Sequence, residues 1–182
     1  MNMNEHLQLR EELDIQHLMD LPKSSRIILK GIEDHHDVIT AHVIFMHQEM
    51  SSLLGPLMYQ AAKNMKVKND VILSTMVKVL KHVLAVCEAC EYDIPTNDEL
   101  MEYDISTTHY LVKQDSILTL TDMCMAALDI IHVVNVDLEG LTIWSEENVP
   151  QDMVDSIKTI IIGIKNLGKK HDFTLRDVIS NI

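Results

Sequence analysis

Val71–Cys90 reads VILSTMVKVLKHVLAVCEAC and Ile117–Val136 reads ILTLTDMCMAALDIIHVVNV. In the first stretch the polar side chains fall mainly at Ser74, Lys78, Lys81 and Glu88, and in the second at Asp122, Asp129 and His132. Each set is a narrow stripe at helical spacing on a segment otherwise apolar around its circumference, the pattern of a helix enclosed in a bundle. These two helices are therefore expected to be the most buried in the chain. Leu84→Ala or Leu128→Ala is expected to cost about 2–5 kcal/mol through lost burial and a residual cavity.

The rest of the chain carries helical signals as well. Gly and Pro total nine residues, and neither Asn-Gly nor Asp-Gly occurs to start a hairpin. A first amphipathic helix fits Asn4 to Met19, and a second runs from the Ser24-Ser25 cap to Leu54, where Gly55-Pro56 is expected to stop it. A third covers about Leu57 to Val67. A fourth follows the break at Asn69-Asp70 and runs from Val71 to Glu91, and a short one extends to Tyr103 with Asn97 as its cap. Ile105 to Val112 carries β-branched and aromatic residues without a partner segment and is read as irregular or briefly helical; Leu141 to Trp144 is left unassigned. Asp115 or Ser116 caps a long helix through Val134, and Pro150 begins a helix expected to end at Gly168. Met153, Val154, Ile157, Ile160, Ile161, Ile164 and Leu167 mark its apolar face. Thr174-Leu175-Arg176-Asp177 forms a capping box with Asp in place of Glu.

The expectation is an all-α single domain over residues 1–182, a bundle of six to eight helices with linkers near 20–25, 55–57, 93–97, 137–150 and 168–174. With two Phe and one Trp, its core must be aliphatic and rich in Met. The apolar stripes are wider than an isolated surface helix needs, which points to a homo-oligomer.

Charge is distributed in blocks. Val83 to Asp155 holds sixteen acidic residues and one basic residue, Lys113, a balance of −15. Met1 to Pro56 carries −5, Leu57 to His82 +4 and Ser156 to Ile182 +3, within a net charge of −13. A block of one sign raises the local potential and steers basic partners toward it. Free nucleic acid is excluded as a ligand by that sign, and Lys63, Lys66 and Lys68 form too small a patch to reverse it. No uninterrupted apolar run reaches the roughly 18 residues of a membrane span, and the polar N-terminus lacks a basic-then-apolar leader. Three cysteines, an odd count, suit a reducing compartment, so the chain is read as cytoplasmic.

Four constellations bear on chemistry. Cys87-x-x-Cys90 places two thiols side by side on a helix, and His109 with Cys124 would complete a zinc tetrahedron. Without a second CxxC or a paired His motif, the thiols are read as small core hydrophobes. Glu33-x-x-His36 and Asp129-x-x-His132 have the spacing of di-iron bundle ligands, with Glu12 as a further carboxylate. Lys78 and Lys81 stand where the fourth helix would supply an acid, which opposes a metal. His35, His42 and Glu49 recur every seven residues, about 10 Å apart by helical rise, and read as a polar face.

The fourth is Asp98-Glu99-x-x-Glu102, followed by Thr119-x-x-Asp122 and Asn135-Val136-Asp137-Leu138-Glu139. Over about Asp98 to Asn148 this resembles the all-α nucleotide pyrophosphohydrolases of the MazG and dimeric dUTPase type, with Thr119 in place of the family's Glu. The resemblance implies Mg²⁺ held by Glu99, Glu102, Asp122 and Asp137 against a nucleoside triphosphate. No Gly-x-Ser-x-Gly elbow and no glycine-rich phosphate loop occurs. No cofactor fingerprint is present either. The preferred reading is an acidic, helical assembly or regulatory factor that binds a protein with a basic surface, as a docking partner or as an inhibitor that mimics DNA charge. Its partner-binding residues are Glu91, Asp93, Asp98, Glu99, Glu102, Asp104, Glu146 and Glu147.

Overall fold

A computed structural model describes residues 35–63, 67–96, 98–103, 115–136 and 148–182. Every regular element among them is helical. Five carry labels: α1 His35–Lys63, α2 Asn69–Ala89, α3 Ser116–Val136, α4 Gln151–Lys170 and α5 Leu175–Ser180. A short helical segment covers 98–103. The helices expected over Asn4–Met19, the segment Ile105–Val112 and Leu141–Trp144 lie outside the described residues.

α1 lies between α2 and α3, α4 packs along the other flank of α3, and α5 bridges α2 and α4. One continuous apolar core joins all five. α1 contributes Ile39, Val43, Met46, Met50, Leu53 and Leu57, and α3 contributes Leu120, Met123, Ala127, Ile130 and Val134. Both sets follow the three- and four-residue steps that keep side chains on one helix face. Met46, Met50, Met76, Met123 and Met153 are each 0 % exposed, so the core is aliphatic and Met-rich as the composition required. Each such side chain contributes about 1.5–3 kcal/mol by leaving water.

α1 does not stop at Gly55-Pro56; it runs through them to Lys63. Pro56 removes one backbone donor, but both residues are exposed while Leu53 and Leu57 on either side are buried, so core packing holds the helix together. Gly55 carries no Cβ to meet the following proline ring, the contact that normally drives the preceding residue out of helical geometry. The expected linker at 55–57 and the separate third helix are thus one continuous α1.

α2 ends in a Schellman turn. Tyr92 N–H donates to Cys87 O at 2.9 Å and Glu91 N–H to Glu88 O at 3.1 Å, with Glu91 at φ 51°. α4 does the same two residues beyond its expected end at Gly168: Phe173 N–H donates to Gly168 O at 3.1 Å, and Asp172 takes φ 58°. Gly168 serves close approach instead, because a Cβ there would lie 2.5 Å from Phe173 O.

The N-terminal caps follow side-chain chemistry. Asp115 Oδ1 accepts from Leu118 N–H at 2.9 Å and opens α3. Thr174 and Asp177 form the expected reciprocal box at α5. Ahead of 98–103 Thr96 forms a capping box with Glu99, while Asn97, the expected cap, lies outside the described residues. Thr96 Oγ1 accepts from Glu99 N–H at 3.3 Å, and Glu99 Oε2 accepts from Thr96 N–H at 2.7 Å.

One burial expectation needs correction. α2 and α4 are the most enclosed helices, whereas α3 leaves Leu118, Met125, Leu128 and Val136 exposed, with Leu128 at 42 % against 4 % for Leu84. An all-round apolar helix can satisfy the core with any one stripe, and its neighbours choose which. By length and composition α3 is also the one helix among the described residues that would suffice to cross a membrane, despite Asp122 and Asp129. Here it is wedged between α1 and α4.

Candidate functional site

The polar stripe of α3 lies along a cleft of about 400 Å³ shared with α4. Asp122, Met125, Ala126, Asp129, His132 and Val133 line one wall, the positions that three- and four-residue steps bring to one side of a helix. Asp152, Asp155, Ser156 and Thr159 line the other wall, and Tyr103 closes the end through a 2.9 Å hydrogen bond between its hydroxyl and Thr159 Oγ1. Four carboxylates line the cleft, and neither Lys nor Arg does. Asp155 Oδ1 accepts from Gln151 Nε2 at 2.8 Å.

The negative field reaches Tyr92, whose phenol is pushed up to about 12 by burial first and then by Glu99, Cys87, Asp155 and Asp93. Glu99 is lowered, chiefly by the Thr96 backbone donor, against the opposing effect of burial, with help from the Thr96 hydroxyl and Lys158. Lys158 lies 5.9 Å from the centre of the Tyr103 ring, so one ammonium group stands at this end of the acidic surface.

Of the nucleotide-hydrolase set, Asp122 faces the cleft, while Glu99 is engaged in its capping box, Glu102 is exposed, and neither glutamate lines the cleft. Asp137 lies outside the described residues. Glu91, Asp93 and Asp98 of the partner-binding set are exposed along with Glu99 and Glu102; Asp104, Glu146 and Glu147 lie outside the described residues.

For the metal readings, Asp129 and His132 share the cleft, and His36 sits in the first turn of α1 without lining it. Glu12, Glu33 and His109 lie outside the described residues. Among the described residues no group of three or more His, Cys, Asp or Glu is arranged to hold a metal ion. Lys78 pairs with Glu49 across α1 and α2 at 3.1 Å. His42, read as part of a polar face, is instead 2 % exposed against α2. Cys87, Cys90 and Cys124 are all buried. Cys90 Sγ sits 3.5 Å from Met153 Sδ, and burial pushes its thiol up to about 12, which suppresses the thiolate a metal or nucleophilic role needs. Cys124 is raised by burial as well, against a weak contact with Ser51.

Asp152, Asp155, Tyr103 and Met125 were not singled out in the sequence as site residues. The available signal was the three-residue spacing of two acids in the first turns of α4. That pair reads equally well as a complement to the positive end of the helix dipole.

No family model matches the chain, and comparisons with curated proteins and with solved structures return no match.

Proposed function

We propose that the protein is an acidic helical interaction factor whose α3–α4 cleft docks a basic, amphipathic segment of a protein partner. The observation that supports this most is the cleft itself: four aspartates from two helices, without a lysine or arginine among the lining residues. Apolar surface lies beside it. At 100° per residue Leu118, Met125 and Val136 fall within about 20° of one line along α3, with Asp122 and Asp129 alongside. All three apolar side chains are exposed.

A partner helix with an apolar ridge and flanking lysines or arginines would match both features, the helix-in-groove mode of recognition. Individual rim charge pairs contribute at most about 1 kcal/mol, so the acidic surface acts mainly by steering and by rejecting acidic partners. The partner's basic face can belong to an assembly component or to a nucleic-acid-binding protein whose DNA site is occupied by this charge mimic.

A labelled Lys/Leu amphipathic helix, followed by fluorescence anisotropy, tests the proposal. Binding should weaken steeply as salt rises toward physiological strength, where the screening length is about 8 Å. Asp129→Asn combined with Asp152→Asn should weaken it about tenfold. Binding indifferent to salt, or unchanged in the double variant, overturns the assignment of the cleft. Competition by duplex DNA for the natural partner then separates the two kinds of partner.

A further inference from the structure

The seam between α1 and α2 contains a second polar feature, remote from the acidic cleft in its residues and its chemistry. His42 and His82 face each other with Nδ1 atoms 3.1 Å apart. They are only 2 % and 7 % exposed. Their rings are tilted at 52°, and Phe45 stacks on the far ring at a 22° interplanar angle.

A short contact between two ring nitrogens requires one to donate and the other to accept, so the folded pair is held as two neutral rings of opposite tautomer. One added proton is tolerated: it goes to the donor ring's Nε2, and the resulting imidazolium still donates its Nδ1–H to the neutral partner. A second proton must go to the accepting Nδ1. Both facing atoms then carry hydrogen, the bond is lost, and two like charges confront each other out of water.

The surroundings do not compensate for that second charge. The charged groups of the packed helices that act on His82 are Glu49 on α1, which favours its protonation, and Lys78 on α2, which opposes it, together with His42. Glu49 is already bound to Lys78 through both carboxylate oxygens at 3.1 Å. From α3, Cys124 approaches α1 at Ser51, while Asp122 and Asp129 face the cleft toward α4.

We propose that the His42–His82 pair is an acid-operated latch: uptake of one proton from solvent by each ring breaks the shared hydrogen bond and releases α1 from α2, baring the apolar seam. The direction follows from linkage. Burial lowers His42, and burial together with the His42 ring lowers His82 to about 4, so the unfolded or opened chain binds more protons than the closed one. The stability this seam contributes is complete above the ordinary histidine value of about 6.5 and is lost as pH falls through about 4. Each proton taken up on opening makes the closing constant tenfold less favourable per pH unit, so two give up to about a hundredfold.

Two measurements on the full chain decide the matter. In the first, histidine ring protons are followed by NMR from pH 8 to 4. His42 should titrate below 6.5 and His82 should stay neutral toward about 4, so that the closed pair holds at most one proton, whereas both titrating near 6.5 in the folded protein would overturn the latch. In the second, amide exchange corrected for intrinsic rates should show α1 amides around 38–50 losing protection as pH falls from about 6.5 toward about 4, before those of α4. A His42→Phe, His82→Leu variant should lose that selective response. Uniform loss across α1 and α4 in the wild-type chain, or the same selective loss in the variant, overturns the proposal; a variant that does not fold leaves the wild-type measurements to decide.

Discussion

Two helices of this protein end on an L-residue in the left-handed region, where glycine normally sits. Glu91 at φ 51° and Asp172 at φ 58° both complete Schellman turns. Their Cβ atoms carry a steric cost of roughly 1–2 kcal/mol, offset in part by the chain entropy that glycine would lose on folding. Glu91→Gly is therefore expected to raise stability by about 0.5–1 kcal/mol in urea denaturation, and a loss instead would show that the Glu91 side chain contributes more than its backbone costs. Gly168 is the opposite case. Its substitution by Ala would place a Cβ 2.5 Å from the Phe173 carbonyl oxygen, a backbone atom of the same residue whose N–H donates to Gly168 O to close the turn. Gly168→Ala should cost about 1–3 kcal/mol through forced backbone displacement. Neither effect is visible in a hydropathy pattern, because both arise from backbone geometry at a helix end.

At the scale of the element, α3 separates apolar composition from burial. Leu84 on α2 is 4 % exposed and Leu128 on α3 is 42 % exposed, although α3 is the more apolar of the two helices. Leu84→Ala is expected to cost about 2–5 kcal/mol, while Leu128→Ala should cost well under about 1 kcal/mol, because much of its surface is already in water. Equal losses in thermal melts would mean that Leu128 is covered in solution, by another copy of the chain or by a partner. The periodicity of α2 and α4 was legible because each carries polar residues that mark its outer face. In α3 the polar marks Asp122, Asp129 and His132 fix the cleft side. The remaining arc offers apolar residues to core and solvent alike, and only contact with α1 and α4 selects among them. Likewise Gly55-Pro56 carries a stop signal that the buried Leu53 and Leu57 override.

For the whole molecule, the arrangement of carboxylates bears on the nucleotide-hydrolase resemblance. A cation held against a triphosphate needs several oxygen ligands converging from neighbouring helices. Glu99 is turned into its own capping box, and neither it nor Glu102 lines the cleft that Asp122 faces. The expected outcome of incubating the protein with Mg²⁺ and a panel of nucleoside triphosphates is no pyrophosphate release. Release that Glu102→Gln abolishes, with the fold intact, would restore the catalytic reading and displace the docking one.

Residue type and short-range spacing were enough for the helical class, a cap at Asp115 or Ser116, the box at Thr174, the Met-rich aliphatic core and the acidic sign of the central block. It took the packing of the helices to set Asp152 and Asp155 across from Asp122 and Asp129, to bring His42 to His82, and to choose Asp115 as the cap and Met125 and Leu128 as the exposed positions of α3. Those facts depend on which helix faces join, and helices of similar apolar content can join by several faces at nearly equal gain in burial. Shape complementarity among Met, Ile, Ala and Gly side chains across the whole core selects one arrangement.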